Sequence, residues 1–482
     1  MEGMKMENQK CMLGYAISLL PDIPTKFRNL QMPGDGRYQP EELKLYLGYD
    51  MWTRWLVIVE YFWMLTLAEI GEMPEKDAKF LTKELLAKLL MNINTTKQDI
   101  IEKKTKHDIL ALLVLMRRYL PKELHRWLHF CATSYDIINT AYALQLKTVF
   151  FHVFAPKLKY LDAIWRKTIY ESVRVLQAGR THLQTALPIT FGFWGSNLHN
   201  RFIGSSRKAF DLANEIQGKF TGAVGTSASQ RVLLKSKEGE KVLMEMLGLP
   251  AAEISTQITP PEGMARFYGE LVLLSGILTN LGEDVRILQS SQFGEITSAS
   301  STLSTMSHKK ANPISAENVA GMHIIIIAEY MKVLMTLVSD LQRDLRWSCV
   351  MRSFSAVAVY TYQQILTAEK TLKTIKVNRT MCCENFNKQA NVVTAELLHL
   401  SLQREGLKDA HRFVNKTIVP LAEEQSFNLI DAMEAYLSNH RNKKISKIWN
   451  KIGSDIKHYL LHPNEYTGDA VEISQREAKN IL

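Results

Sequence analysis

Apolar residues recur at the spacing of one helix face in several long stretches of this chain, most plainly in Phe267, Leu271, Leu274, Leu278, Leu281, Val285 and Leu288. No proline interrupts these stretches: none lies between Pro261 and Pro313, and none between Pro313 and Pro420. An interior proline costs a helix about 3 kcal/mol, so such gaps permit helices longer than the usual length of about 8 to 20 residues. Strand-like alternation beside Asn-Gly or Asp-Gly turns is scarce, Asp35-Gly36 being the one obvious candidate. The pattern predicts an all-α protein. Glu41 to Ile70, Lys76 to Leu90 and Lys97 to Arg118 read as helices of a first domain, and Pro156 is expected to kink or end the first of the long segments that follow. With 482 residues the chain is too long for one compact core. Three domains are predicted: a helical region over 1–134, a central bundle of long helices over 135–378, and shorter helices over 379–482.

Composition is that of an ordinary soluble globular protein, and it narrows the partners more than the fold. The net charge of +10 suits a polyanion. Its densest local source, HRNKKISKIWNK from His440 to Lys451, reads as a solvated helix face, because no nucleic-acid motif accompanies it. A small polyanionic substrate is drawn by the same field, and no nucleic-acid partner is expected. Five scattered cysteines (Cys11, Cys131, Cys349, Cys382 and Cys383) without CxxC spacing read as free thiols. The N-terminus lacks the order of a secretory signal, and the most apolar stretch, His323 to Leu341, is broken by Glu329 and Lys332. The expectation is a cytoplasmic protein with no membrane anchor. His125 with His129, and His458 with His462, have the i, i+4 spacing of zinc ligands, but neither pair has the following Glu or an evident third ligand. No metal and no cofactor are expected.

Three polar segments have the wrong composition for helical cores. The first is Thr105-Lys106-His107-Asp108, followed by HFCATSYDIINTA from His129 to Ala141, where Thr133-Ser134 ahead of Asp136 can cap a helix and aim hydroxyls and amides at an anion. The second runs from Gly179 to Thr190, GRTHLQTALPIT, and reads as a polar interruption between two helices. Its His182 is flanked by hydrogen-bonding side chains that can tune a proton donor near neutral pH. The third, STLSTMSHKKANPISAEN from Ser301 to Asn318, gathers hydroxyls, cations and an Asn-Pro pair before a long apolar helix.

In this order and spacing the three segments resemble the sequence blocks of the aspartase/fumarase superfamily. TKHD, HxxxTSxDxxxTA, Arg37-Tyr38 followed by Pro40-Glu41, Ser255-Thr256-Gln257, and RDLRWSCVMR from Arg343 to Arg352 resemble the adenylosuccinate lyases within it. The resemblance covers Arg37 to at least Arg352. It implies a three-domain helical protomer whose long helices assemble into a homotetramer, with each active site drawing blocks from three subunits. It also implies β-elimination of fumarate from a succinylated purine nucleotide. Under it, Ser304 is the base, helped by Lys309 or Lys310, His182 is the general acid, and Glu317 is the acidic partner of that histidine. Thr133, Ser134, Gln257 and Asn312 match positions holding the succinyl carboxylates, while His107 and Asp108 match a first-block substrate contact. Arg37, Tyr38, Arg343, Ser348 and Arg352 match the nucleotide-holding set, where fixed guanidinium forks suit a phosphate.

The chain departs from that pattern. Leu303 and Ser307 replace a usual Ser and Pro, and one extra residue precedes Asn312, so a register anchored on Asn312-Pro313 moves the base from Ser304 to Thr305. A primary hydroxyl is less hindered than a β-branched one, which favours Ser304. Tyr135, Cys131 and Asn139 replace a usual Ser, Gly and Asp. Alternatives of the same fold are an argininosuccinate lyase or a carboxymuconate cycloisomerase, neither of whose substrates offers a phosphate to Arg343, Ser348 and Arg352. A catalytically decayed structural homologue is the alternative of another class, against which stand His182, Ser304 and Glu317 together.

Overall fold

The computed structural model describes residues 12–24, 28, 38–298, 312–343 and 346–482. Arg37, Ser304, Thr305, Lys309 and Lys310 lie outside the described residues, as does Asp35-Gly36. The protein is helical, and sheet among the described residues is limited to two two-stranded ribbons. Its first helices are α1 (Glu41–Leu47), α2 (Trp52–Glu69), α3 (Thr95–Thr105), α4 (Asp108–Arg117) and α5 (Ser134–Val149). Next come α6 (Ala155–Ser172), the strands β1 (Leu176–Thr181) and β2 (Gln184–Thr190), and the long helices α7 (Phe191–Asn214), α8 (Glu262–Leu288), α9 (Ile314–Met335) and α10 (Ser355–Thr374). The apolar period read over 267–288 is the buried stripe of the 27-residue α8, with Phe267, Leu271, Leu274, Leu278, Leu281 and Val285 at most 1% exposed.

Four stretches differ from the sequence reading. That from Lys76 to Leu90 is two helices, Glu75–Ala78 and Lys83–Asn92, the second capped by the Thr82 side chain on the Leu85 N–H. The stretch from Glu41 to Ile70 is two helices, because the backbone turns extended at Gly48, where a Cβ would collide with the Arg28 carbonyl group. The stretch from Lys97 to Arg118 breaks at Lys106, whose φ of 55° ends α3 in the left-handed region and makes His107 the first cap of α4. Pro156 does not stop its helix: a π turn over Phe150–Phe154 precedes it, and α6 continues through it. The looser π register removes the clash between the pyrrolidine ring and the carbonyl one turn back.

The chain divides into two compact units. One comprises Met1–Lys159, Gly204–Gly276 and Gly321–Leu366, and the other Tyr160–Ile203, Ile277–Ala320 and Thr367–Leu482. In the first, α2 is buried almost throughout, with Trp55, Phe62 and Trp63 at 0% exposure. Buried Arg54 is satisfied by the Leu90 carbonyl at 2.8 Å from its Nε and by the Asp50 carbonyl. In the second, the C-terminal helices close around Leu398, Leu402, Ile418, Leu429, Met433 and Trp449. There His199 is fully buried between Asp162 (2.9 Å) and Glu477 (2.7 Å), which fastens the helix Ala470–Glu477 to α6 and α7.

Candidate active site

The first unit brings the first-block residues together through helix ends. His107 caps α4: its Nδ1 accepts the Leu110 N–H at 3.4 Å and lies 3.3 Å from Asp108 Oδ1. Its Nε2 lies 3.5 Å from Ser134 Oγ, at the start of α5. Asp108 accepts the Ile109 N–H at 2.8 Å. Close by, burial first and then Asp108 raise the carboxyl pKa of Glu102, while the Arg352 guanidinium acts to lower it. Tyr49 is pushed up to about 12 by burial and by its hydrogen bond to Asp99. Exposed Arg352 and half-buried Ser348 belong to the helix Arg346–Met351 and its end. Half-buried Tyr38 precedes α1.

Beneath Thr133 and Ser134 lies a buried ion pair that the sequence reading missed. Asp136 accepts the Thr133 N–H at 2.9 Å, the Thr221 N–H at 3.0 Å and the Gly222 N–H at 3.1 Å. The same carboxylate is 2.6 Å from Lys219 Nζ, and both side chains are 0% exposed. Lys219 in turn donates to the carbonyls of Gly222 (2.8 Å) and Gln257 (3.3 Å). The helix start at Thr133-Ser134, the loop after Gly218 and the segment carrying Gln257 are thereby fixed as one piece. The glycines of this loop are the signal that could have revealed it: Gly225 has φ 84°, and a Cβ there would overlap the Ser255 carbonyl.

Gln257 and Arg343 meet directly. The guanidinium donates from Nη1 to Gln257 Oε1 at 3.0 Å and from Nη2 to the Tyr135 hydroxyl, with its carbon 3.3 Å from the Tyr135 ring centre. The replacement of a serine by Tyr135 thus gives Arg343 an aromatic shelf. A second missed pair lies one turn upstream. His129, at φ 63°, places Nδ1 2.6 Å from Oε1 of fully buried Glu60, and Trp63 Nε1 donates to the Phe130 carbonyl at 2.7 Å. Burial opposes the charge of His129, but the Glu60 carboxylate and the hydrogen bond to it win, leaving the imidazole pKa above its ordinary value. The Glu60 carboxylate therefore holds the His129 imidazole.

In the second unit the polar interruption expected between two helices lies between α6 and α7, and it takes the form of a β-hairpin. β1 pairs antiparallel with β2, Thr181 opposite Gln184, so His182 and Leu183 form a two-residue turn at φ 55° and 63°. Both central residues at positive φ match the twist of a hairpin, but the position is ordinarily filled by Asn and Gly. Gly179 stands at a register shift, where a Cβ would come within 2.7 Å of the Leu187 oxygen. His182 is exposed at the tip. Glu317 is exposed in the first turn of α9, five residues after half-buried Asn312. No hydrogen bond or ion pair joins His182 to Glu317 among the described residues.

The model of the family described as Lyase matches residues 49–328, more than half of the chain. The adenylosuccinate lyase of Archaeoglobus fulgidus is 29% identical over 92% of this chain and 97% of its own length. That of Vibrio cholerae is 30% identical over 78% of this chain and 86% of its own. Among solved structures, a fumarate lyase from Mesorhizobium sp. BNC1 superposes with a TM-score of 0.78 at 20% identity, covering 92% of this chain and 99% of that one. The 3-carboxy-cis,cis-muconate lactonizing enzyme of Pseudomonas putida follows at 0.76 and 19%. These two likenesses establish the helical fold, and the sequence relatives narrow it further: the chain belongs to the lyase family, among the adenylosuccinate lyases of the fumarase/aspartase superfamily.

Proposed function

We propose that this chain is a carbon–nitrogen lyase that cleaves adenylosuccinate to fumarate and AMP, and that the succinylated carboxamide ribotide of purine synthesis fits the same site. The observation that carries this reading is the correspondence with adenylosuccinate lyases over nearly the whole chain. In the reaction a base removes a proton from the succinyl Cβ, the electron pair forms the new C=C bond, and the C–N bond breaks as the leaving nitrogen takes a proton. Ser304 is the base, its alkoxide stabilised by Lys309 or Lys310, of which Lys309 is assigned to catalysis and Lys310 to substrate binding. His182 is the acid, with Glu317 supporting its charge. Thr133, Ser134, Gln257 and Asn312 hold the carboxylates, and His107 with Asp108 contacts the substrate. Arg37, Tyr38, Arg343, Ser348 and Arg352 hold the nucleotide. The fixed orientation of Arg343 on Tyr135 and Gln257 supports its part, since a fork already in place loses little freedom on binding a phosphate. The enzyme is expected to release fumarate from adenylosuccinate and not from argininosuccinate; the reverse preference would overturn the substrate assignment.

The same reading makes the enzyme a soluble cytoplasmic homotetramer with segments 1–134, 135–378 and 379–482 as its domains. It needs neither metal nor cofactor, and binds neither membrane nor nucleic acid. Helix α9 is apolar and long enough to cross a membrane, with a mean hydropathy of 1.3, yet only 22% of that window is buried. Ile324 (73% exposed) and Met335 (76% exposed) lie on it. A surface of this kind beside a catalytic glutamate supports packing against other subunits. The absence of a bond between His182 and Glu317 within one protomer supports a shared site. Sedimentation is expected to give a tetramer, and mixing inactive His182→Asn and Ser304→Ala protomers is expected to restore part of the activity. A fully active monomer would sink the shared-site assignment.

A further inference from the structure

The hairpin that presents His182 is anchored by Glu295, a fully buried residue without a part in the roles above. Its carboxylate accepts hydrogen bonds from Gln177 Nε2 at 2.9 Å and Asn385 Nδ2 at 3.0 Å, and two from the Arg180 guanidinium, one at 3.3 Å and one shorter. Arg180 lies 4.4 Å over the Phe293 ring. Gln177 and Arg180 belong to β1, and Asn385 to α11 (Arg379–Asn387). The backbone at Glu295 is held as firmly: its N–H donates to the Leu288 carbonyl at 2.9 Å and its carbonyl accepts the Asn378 N–H at 2.8 Å. The next residues form β3 (Ile296–Thr297), paired with β4 (Lys376–Val377). All of this lies within the second unit.

A buried carboxylate is costly unless paired and hydrogen-bonded, and this one has donors for both oxygens. Its two charged bonds go to Arg180, two residues before the turn. An isolated two-stranded hairpin is marginal in water, and this one also holds two non-glycine residues at positive φ. Buried Gln177, Ala178 and Thr190 seat the base of the hairpin, and Arg180 is the charged anchor nearest its tip. We propose that Glu295 is a positioning residue for the general acid: through Arg180 and Gln177 it sets the hairpin so that His182 reaches the leaving nitrogen. The inference rests on the reading of His182 as the acid.

The test uses the intact enzyme and adenylosuccinate. Glu295→Gln keeps the size of the side chain but sets an amide against Arg180 and leaves that guanidinium without its counter-charge. The expected result is a fall in kcat of about 10-fold or more with KM within about 2-fold, since substrate binding does not pass through the hairpin tip. Arg180→Gln added to Glu295→Gln, which removes the stranded charge, is expected to recover part of the loss. Glu295→Gln combined with His182→Asn is expected to be no slower than His182→Asn alone, because both act through one group. Gln177→Leu deletes one donor without stranding a charge, and is expected to lower kcat by about 2- to 5-fold, giving a readout if the Glu295 variant fails to fold. Normal kcat in both the Glu295→Gln and Gln177→Leu enzymes, or losses that multiply in the double variant, would overturn the proposal while leaving His182 as the acid. A fully active His182→Asn enzyme would overturn both.

Discussion

His182→Asn is expected to leave a folded enzyme that has lost at least about 100-fold in turnover, the scale at which a proton donor contributes to a transition state. Asparagine is chosen because the turn demands it: His182 sits at φ 55°, where alanine is strained and asparagine is tolerated. The histidine is exposed at the tip, so its removal leaves no cavity and no stranded partner in the core. Loss of turnover then reports chemistry and not unfolding. Steady-state cleavage of adenylosuccinate by a variant of normal thermal stability makes the measurement, and near-normal kcat would remove His182 from the mechanism.

Lys219→Met is expected to have the opposite signature, a loss of stability that drags activity with it. Both Lys219 and Asp136 are 0% exposed and 2.6 Å apart. Removing one partner of such a pair costs about 3–5 kcal/mol, because the other charge stays buried without compensation. The peptide donors from Thr133, Thr221 and Gly222 remain on Asp136 and place the expected cost near the lower end of that range. Asp136→Asn is expected to cost more, since the lysine would lose its counter-charge and keep only neutral acceptors, among them the Gly222 and Gln257 carbonyls. Thermal midpoints at fixed protein concentration make the comparison. An unchanged midpoint for Lys219→Met would mean that the pair contributes nothing to the fold of the cradle.

The cradle also explains why the first block could be recognised without being understood. Thr133-Ser134 ahead of Asp136 reads as a helix cap, and α5 does begin at Ser134 with the Asp136 carboxylate on the Thr133 N–H. What that short motif does not contain is the cation that neutralises Asp136 or the peptides that share it, since these come from the loop after Gly218. Tyr135 shows the same limit. As a residue in the chain it is a substitution for serine; against Arg343 it is a shelf that orients a guanidinium.

The helical class, the long proline-free helices, the buried stripe of α8 and the cap of α5 all follow from local periodicity and local hydrogen bonding between residues a few positions apart. Other features depend on partners distant in the chain. The hairpin around His182 is fastened by Gln177 and Arg180 to Glu295, more than a hundred residues further along the chain, a partner the segment itself does not reveal. The helix from Glu41 breaks because Arg28 crosses at Gly48. The histidine at 129 pairs with Glu60 because α2 runs beneath it. Each is a contact between residues far apart in the chain, and a buried charge is affordable only where such a partner arrives, so its place could be known only once the chain had folded.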